Sequence, residues 1–144
     1  MIENDTVRLL RECDAGVKMG VDSIEDVLDD VHSGELKALL NECKREHKAL
    51  EREILDMLSR VGDKGKPPSN LSRGMSHVMT SMKIMMNKSD GTVADLMTDG
   101  CNMGVKSLSK YLNKYKAASE DAKDVAKRLV KLEETLAVDI RGYL

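Results

Sequence analysis

The chain is expected to fold as an all-α, antiparallel four-helix bundle, and three features of its 144 residues say so. Apolar residues recur in alternating three- and four-residue steps along four long segments. The breaks between those segments hold Gly, Pro or Ser, where a helix must stop or start. Phe and Trp are absent while ten Met are present, so Met, Leu and Val have to fill the core. A chain of this length supports one core. Residues 1–144 are read as a single domain, with a linker and a short helix over about 62–90.

The first helix presents Val7, Leu10, Val17, Val21, Ile24, Leu28 and Val31 on one face, interrupted by Asp14. His32, Ser33 and Gly34 are expected to end it, Gly as a left-handed closing residue and His as a charge suited to the helix C-terminus. The second helix repeats the rhythm with Leu36, Leu40, Cys43, His47, Leu50, Ile54, Met57 and Val61. Its short connection to the first makes the two antiparallel. From Gly62 to Asn70 the chain contains Gly65, Pro67 and Pro68 and cannot continue a helix, because Pro has no amide donor and clashes with the preceding turn. A short helix is expected from about Leu71 to Met86.

The third long helix is expected to start at Thr92, with Asp95 completing a capping-box-like pair, and to run to about Lys116. Its inward residues are Met97, Cys101, Val105, Leu108, Leu112 and Tyr115. Ser119 caps the fourth, whose first turn is acidic and whose seam reads Ala122, Val125, Leu129, Leu132, Leu136, Ile140 and Tyr143.

Charge and composition exclude several function classes. The formal net charge is −2, so there is no broad basic field for nucleic acid or an anionic membrane. Tyr111, Tyr115 and Tyr143 are the whole aromatic complement, too few for base-stacking platforms. Cys13, Cys43 and Cys101 match neither a zinc motif nor a disulfide framework and read as reduced, buried thiols. The polar start, Met1 to Thr6, is unlike a secretory signal, and no run of about 18 apolar residues occurs, so a cytoplasmic location is expected.

An internal repeat links the first and third helices. Gly16, Met19, Gly20, Val21, Ser23 and Leu28 are matched by Gly100, Met103, Gly104, Val105, Ser107 and Leu112, each pair 84 residues apart. Two helix hairpins related in this way and joined by a long crossover follow the plan of ferritin-like bundles. The chain resembles that superfamily, and within it the small bacterial four-helix-bundle proteins of unassigned function. The resemblance rests on Gly16-Val17-Lys18 leading into Glu25-Asp26-Val27, on Glu35-Leu36-Lys37-Ala38-Leu39, and on Ser72-Arg73-Gly74 with Met82-Lys83.

A carboxylate-bridged di-iron site of that family takes one Glu from each of two helices and a Glu-x-x-His pair from each of the others. By the repeat, the single-Glu positions fall on Val21 and Val105. No Glu-x-x-His exists: Glu46 is followed three residues on by Ala49 and Glu133 by Leu136, while Lys44 stands three before His47. The resemblance therefore implies a bundle whose metal site is lost, with no cofactor and no catalytic residues. Such a bundle would be a non-enzymatic structural or protein-interaction module, and a homodimer joined through the flat Gly16/Gly20 and Gly100/Gly104 strips and the short helix. The enzyme alternative is a divergent di-iron oxidoreductase or metal-storage bundle built on Asp14, His47 and Glu46 or Glu133.

Asp14 and His47, the polar residues on apolar seams, could pair or hold an ion, though a seam polar residue more often fixes register. His77 among Met75, Met79 and Met82 raises soft-metal or haem ligation or an apolar ligand pocket, against the plainer reading of Met as core filler. Glu25, Asp26, Asp29 and Asp30 lack the spacing of a calcium loop and read as a solvated face.

Overall fold

A computed structural model describes residues 4–66 and 89–144. The expected short helix, with His77 and the Met75, Met79, Met82 and Met86 stripe, lies outside the described residues. Those described form four long α-helices and a single 3₁₀ turn, with no strand among them: α1 (Asn4–Leu28), α2 (Gly34–Arg60), α3 (Asp90–Lys114), α4 (Glu120–Asp139) and the turn Arg141–Tyr143. None of these helices is long and apolar enough to cross a membrane.

The helix ends differ from expectation in two places. Gly34 opens α2 and closes nothing: Ser33 is the N-cap, its Oγ accepting from the Leu36 amide at 3.2 Å, and Gly34 has no positive φ. A serine that can satisfy an orphan amide outweighs the glycine's freedom. Likewise α3 begins two residues before Thr92, because Ser89 is its cap and accepts from the Thr92 amide at 3.1 Å. The expected Ser119 cap is present, accepting from Ala122.

The left-handed closure falls instead at Gly62, φ +74°, just past the end of α2. There the amides of Gly62 and Asp63 donate to the carbonyls of Ser59 and Leu58, the paired bonds of a Schellman motif.

Packing follows sequence order. α1 packs chiefly on α2 and α3 on α4, with further contacts of α1 to both later helices and of α2 to α4. Arg11 near the start of α1 bonds Asp63 just beyond the end of α2, and Glu25 near the other end of α1 meets Lys48. The junction between the first two helices is tied to the third, since the Asp90 carboxylate accepts from the amides of both His32 and Ser33, at 2.7 and 2.9 Å.

The core is not one continuous mass. One cluster includes Leu9, Val17, Leu50, Ile54, Leu108, Val125 and Leu129; the other includes Ile24, Leu36, Leu40, Cys43, Met97, Cys101, Leu136 and Ile140. On every helix the two clusters lie on either side of one level, near Gly20, His47, Gly104 and Glu133.

Candidate functional site

At that level the bundle buries a polar pair. His47 is 1% exposed, and its Nε2 stands 2.9 Å from Oε1 of Glu133 on α4. Its Nδ1 lies 2.8 Å from the carbonyl oxygen of Cys43, one turn back on α2, and 3.5 Å from the Cys43 thiol. A carbonyl can only accept, so Nδ1 carries a proton; with a carboxylate at the other nitrogen, the ring is best satisfied as imidazolium, donating from both sides. Burial alone would lower the imidazole's pKa. The hydrogen bonds to Cys43 and Glu133 and the charge of Glu133 outweigh it and push the value up to about 10.

Two glycines flank this pair. A Cβ on Gly20 would come within 2.8 Å of His47 Cδ2 and 2.9 Å of Nε2, so the ring lies directly on the α1 backbone. A Cβ on Gly104 would meet the Glu133 side chain at 3.5 Å, and its Oε2 at 3.6 Å. The Cys101 thiol also lies against Glu133; burial first, then that carboxylate, raises its pKa and keeps it protonated.

These positions shift the expected register by one residue. Gly20 and Gly104, which the repeat also pairs, face the central pair, while Val21 packs in the core beside them and Val105 is half-buried. A glycine contributes no side-chain ligand, and the His47 nitrogen that a metal would need is directed at Glu133. Among the described residues no three His, Cys, Asp or Glu side chains converge as a metal-holding group.

Of the four residues singled out as a possible ligand set, His47 and Glu133 meet. Glu46 is exposed on the far side of α2. Asp14 is fully buried but belongs to a different cluster, and the pairing of Asp14 with His47 does not occur. Its Oδ2 accepts from Lys18 Nζ and from the Lys66 amide, each at 2.8 Å. The backbone of Gly65, φ +87°, passes so close that a Cβ there would lie 2.3 Å from the same oxygen. Oδ1 of Asp14 is buried without a partner among the described residues. Lys66 also pairs with Glu12, so the chain leaving α2 is held against α1 by two carboxylates.

Beside the polar layer a cleft of about 80 Å³ runs between α1 and α3. Its walls are the repeat itself: Gly16, Met19, Gly20 and Ser23 from one helix, and Gly100, Met103, Gly104 and Ser107 from the other. Glu133 and Cys101 reach it from within, and Glu12 and Tyr111 also line it. The glycine strips, expected to be flat outer surfaces, thus line a cleft inside one chain. That outcome was latent in the sequence, since four of the six repeated identities line the cleft.

Compared with protein-family models, with curated proteins and with solved structures, the chain finds no match.

Proposed function

We propose that the chain is an antiparallel, ferritin-like four-helix bundle that has lost its metal centre and serves, without enzymatic activity, as a structural or protein-interaction module in the cytoplasm. One observation carries this reading: the level where four helices of such a bundle would converge on metal holds Gly20, His47, Gly104 and Glu133, and the two polar members pair with each other. This donor set does not fit a carboxylate-bridged di-iron group, which draws one ligand from each of two helices and two from each of the others. Two of the four positions have no side chain. The Arg11–Asp63 and Glu25–Lys48 contacts support an antiparallel course for α1 and α2.

Plasma emission analysis of untagged protein, grown with supplemented iron, manganese and zinc, tests the reading. Less than stoichiometric metal is expected, together with a melting temperature indifferent to added Fe(II) or Mn(II). One or two metal atoms per chain, held by His47 or Glu133 in anomalous maps, would promote the oxidoreductase or metal-storage alternative.

A homodimer belongs to the same proposal, with a second copy as the partner. Val138, 52% exposed, and Leu144, 63% exposed, supply apolar surface at the end of α4 for it. Sedimentation equilibrium should return twice the chain mass of 16.0 kDa; a concentration-independent single mass removes the dimer.

A further inference from the structure

We propose that the cleft between α1 and α3 is a binding site for a small, largely apolar molecule carrying one neutral hydrogen-bond donor, which it presents to Oε2 of Glu133. Three observations converge on this. The first is the glycines. Neither Gly16 nor Gly104 has a positive φ, and a Cβ on either would meet its nearest neighbours at ordinary contact distances, 3.7 Å to Leu129 and 3.5 Å to Glu133. Glycine inside a helix is destabilising relative to alanine. Backbone conformation and internal packing therefore do not demand glycine at these two positions, and what it does there is leave the cleft open.

The second is Glu133, whose side chain is 11% exposed. Oε1 is committed to His47, whereas Oε2 lies on the Gly104 side, beside the cleft that Glu133 lines, and the Cys101 thiol hydrogen-bonds the same carboxylate. An ionised carboxylate offers about four acceptor sites, so with His47 and Cys101 donating to it Glu133 retains capacity that an entering donor can fill. The other carboxylate in the cleft, Glu12, is already held by Lys66.

The third is charge and size. Paired with imidazolium, Glu133 leaves the layer neutral, so a cationic ligand would bring an uncompensated charge into walls made of Met19, Met103, Leu108 and Leu129, and an anion would meet the carboxylate. A neutral hydroxyl or amide N–H incurs neither cost. About 80 Å³ is roughly half an engineered cavity that encloses benzene, so the open cleft seats a short branched chain whole, or a small ring in part with its remainder toward solvent.

Phenol and toluene, alike in shape and differing by one donor, test the site in the intact wild-type protein by ¹H–¹⁵N correlation spectra. Phenol should give saturable shifts at the amides of Gly16, Gly20, Gly100 and Gly104. Toluene should bind the same place roughly tenfold more weakly, the worth of one hydrogen bond to a charged acceptor. The G16A/G104A double variant should remain folded and bind phenol several-fold more weakly. Absence of shifts at those glycines up to the solubility limit, equal affinity for the two probes, or undiminished phenol binding by the double variant would each overturn the proposal.

Discussion

His47 Nε2 lies 2.9 Å from Glu133 Oε1 in the interior of the bundle, at the level where the two apolar clusters of the core part. A buried ion pair of this kind is costly to assemble and costlier to break, because removing one partner leaves a charge with no solvent and no counter-charge. Glu133→Ala should therefore lower the unfolding free energy by about 3–5 kcal/mol, and His47→Ala by a similar amount. Replacing both at once, as His47→Leu with Glu133→Leu, should leave stability near or above wild type. Urea denaturation of the single and double variants reads this directly; additive losses would show that the two residues act independently.

Stability should also depend on alkaline pH. The folded-state pKa of His47, about 10, lies above its ordinary value of 6.5, so the folded state binds the proton more tightly. The stabilisation is whole below pH 6.5 and drains away as pH rises toward 10. One proton permits a slope of at most about 1.4 kcal/mol per pH unit. Urea midpoints measured from pH 6 to 10 should fall in wild type and fall less in His47→Gln. Parallel curves would rule out His47 as the group responsible.

Gly20 and Gly104 are equivalent in the repeat but should respond differently to a methyl group. In Gly20→Ala the new carbon would lie 2.8 Å from a ring pinned on both sides, which cannot move aside without breaking a bond to Glu133 or Cys43. A loss of about 1–3 kcal/mol is expected. Gly104→Ala meets Glu133 at 3.5 Å and should be neutral or stabilising by up to about 1 kcal/mol, the ordinary helical preference for alanine. Thermal melts should show Gly20→Ala lowered and Gly104→Ala unchanged or raised.

Cys13, Cys43 and Cys101 should resist thiol reagents in the native state. All three are buried; burial, helped by Glu12 and Asp14, pushes Cys13 up to about 12, and Cys101 is raised by burial and Glu133. An aromatic disulfide reagent at pH 8 should titrate three thiols per chain in urea and react in buffer only as fast as the bundle opens. A fast native-state burst of one thiol would contradict this.

The helices were legible in the sequence because their faces repeat locally. Asp14 and His47 stood out as polar residues on apolar seams, and both are buried. Glu133 was harder to place. It lies four residues after Leu129 and three before Leu136, as good a seam position as any, yet Leu132 beside it is apolar and claimed the place; in the structure Leu132 is half-buried and Glu133 is in. Its pairing with His47 depends on the stagger between α2 and α4, residues 86 apart in the chain, which no local period encodes. The contact of Gly65 with Asp14 and the grip of Asp90 on the His32 and Ser33 amides are long-range in the same sense.

The polar level between the two apolar clusters also works as an index mark. Leu, Val and Ile side chains are nearly interchangeable along a seam, so greasy helices can slide past one another by a turn, about 5.4 Å, and still bury much the same surface. Here such a slip of α4 along α2 would carry the Glu133 carboxylate in among aliphatic neighbours and leave the His47 imidazolium opposite Leu129 or Leu136, two unmet charges in place of one satisfied pair. Only one alignment of the two helices avoids that, and it is also the one in which Arg128 of α4 meets Glu53 of α2 at the surface, 2.9 Å from Nη1 to Oε2.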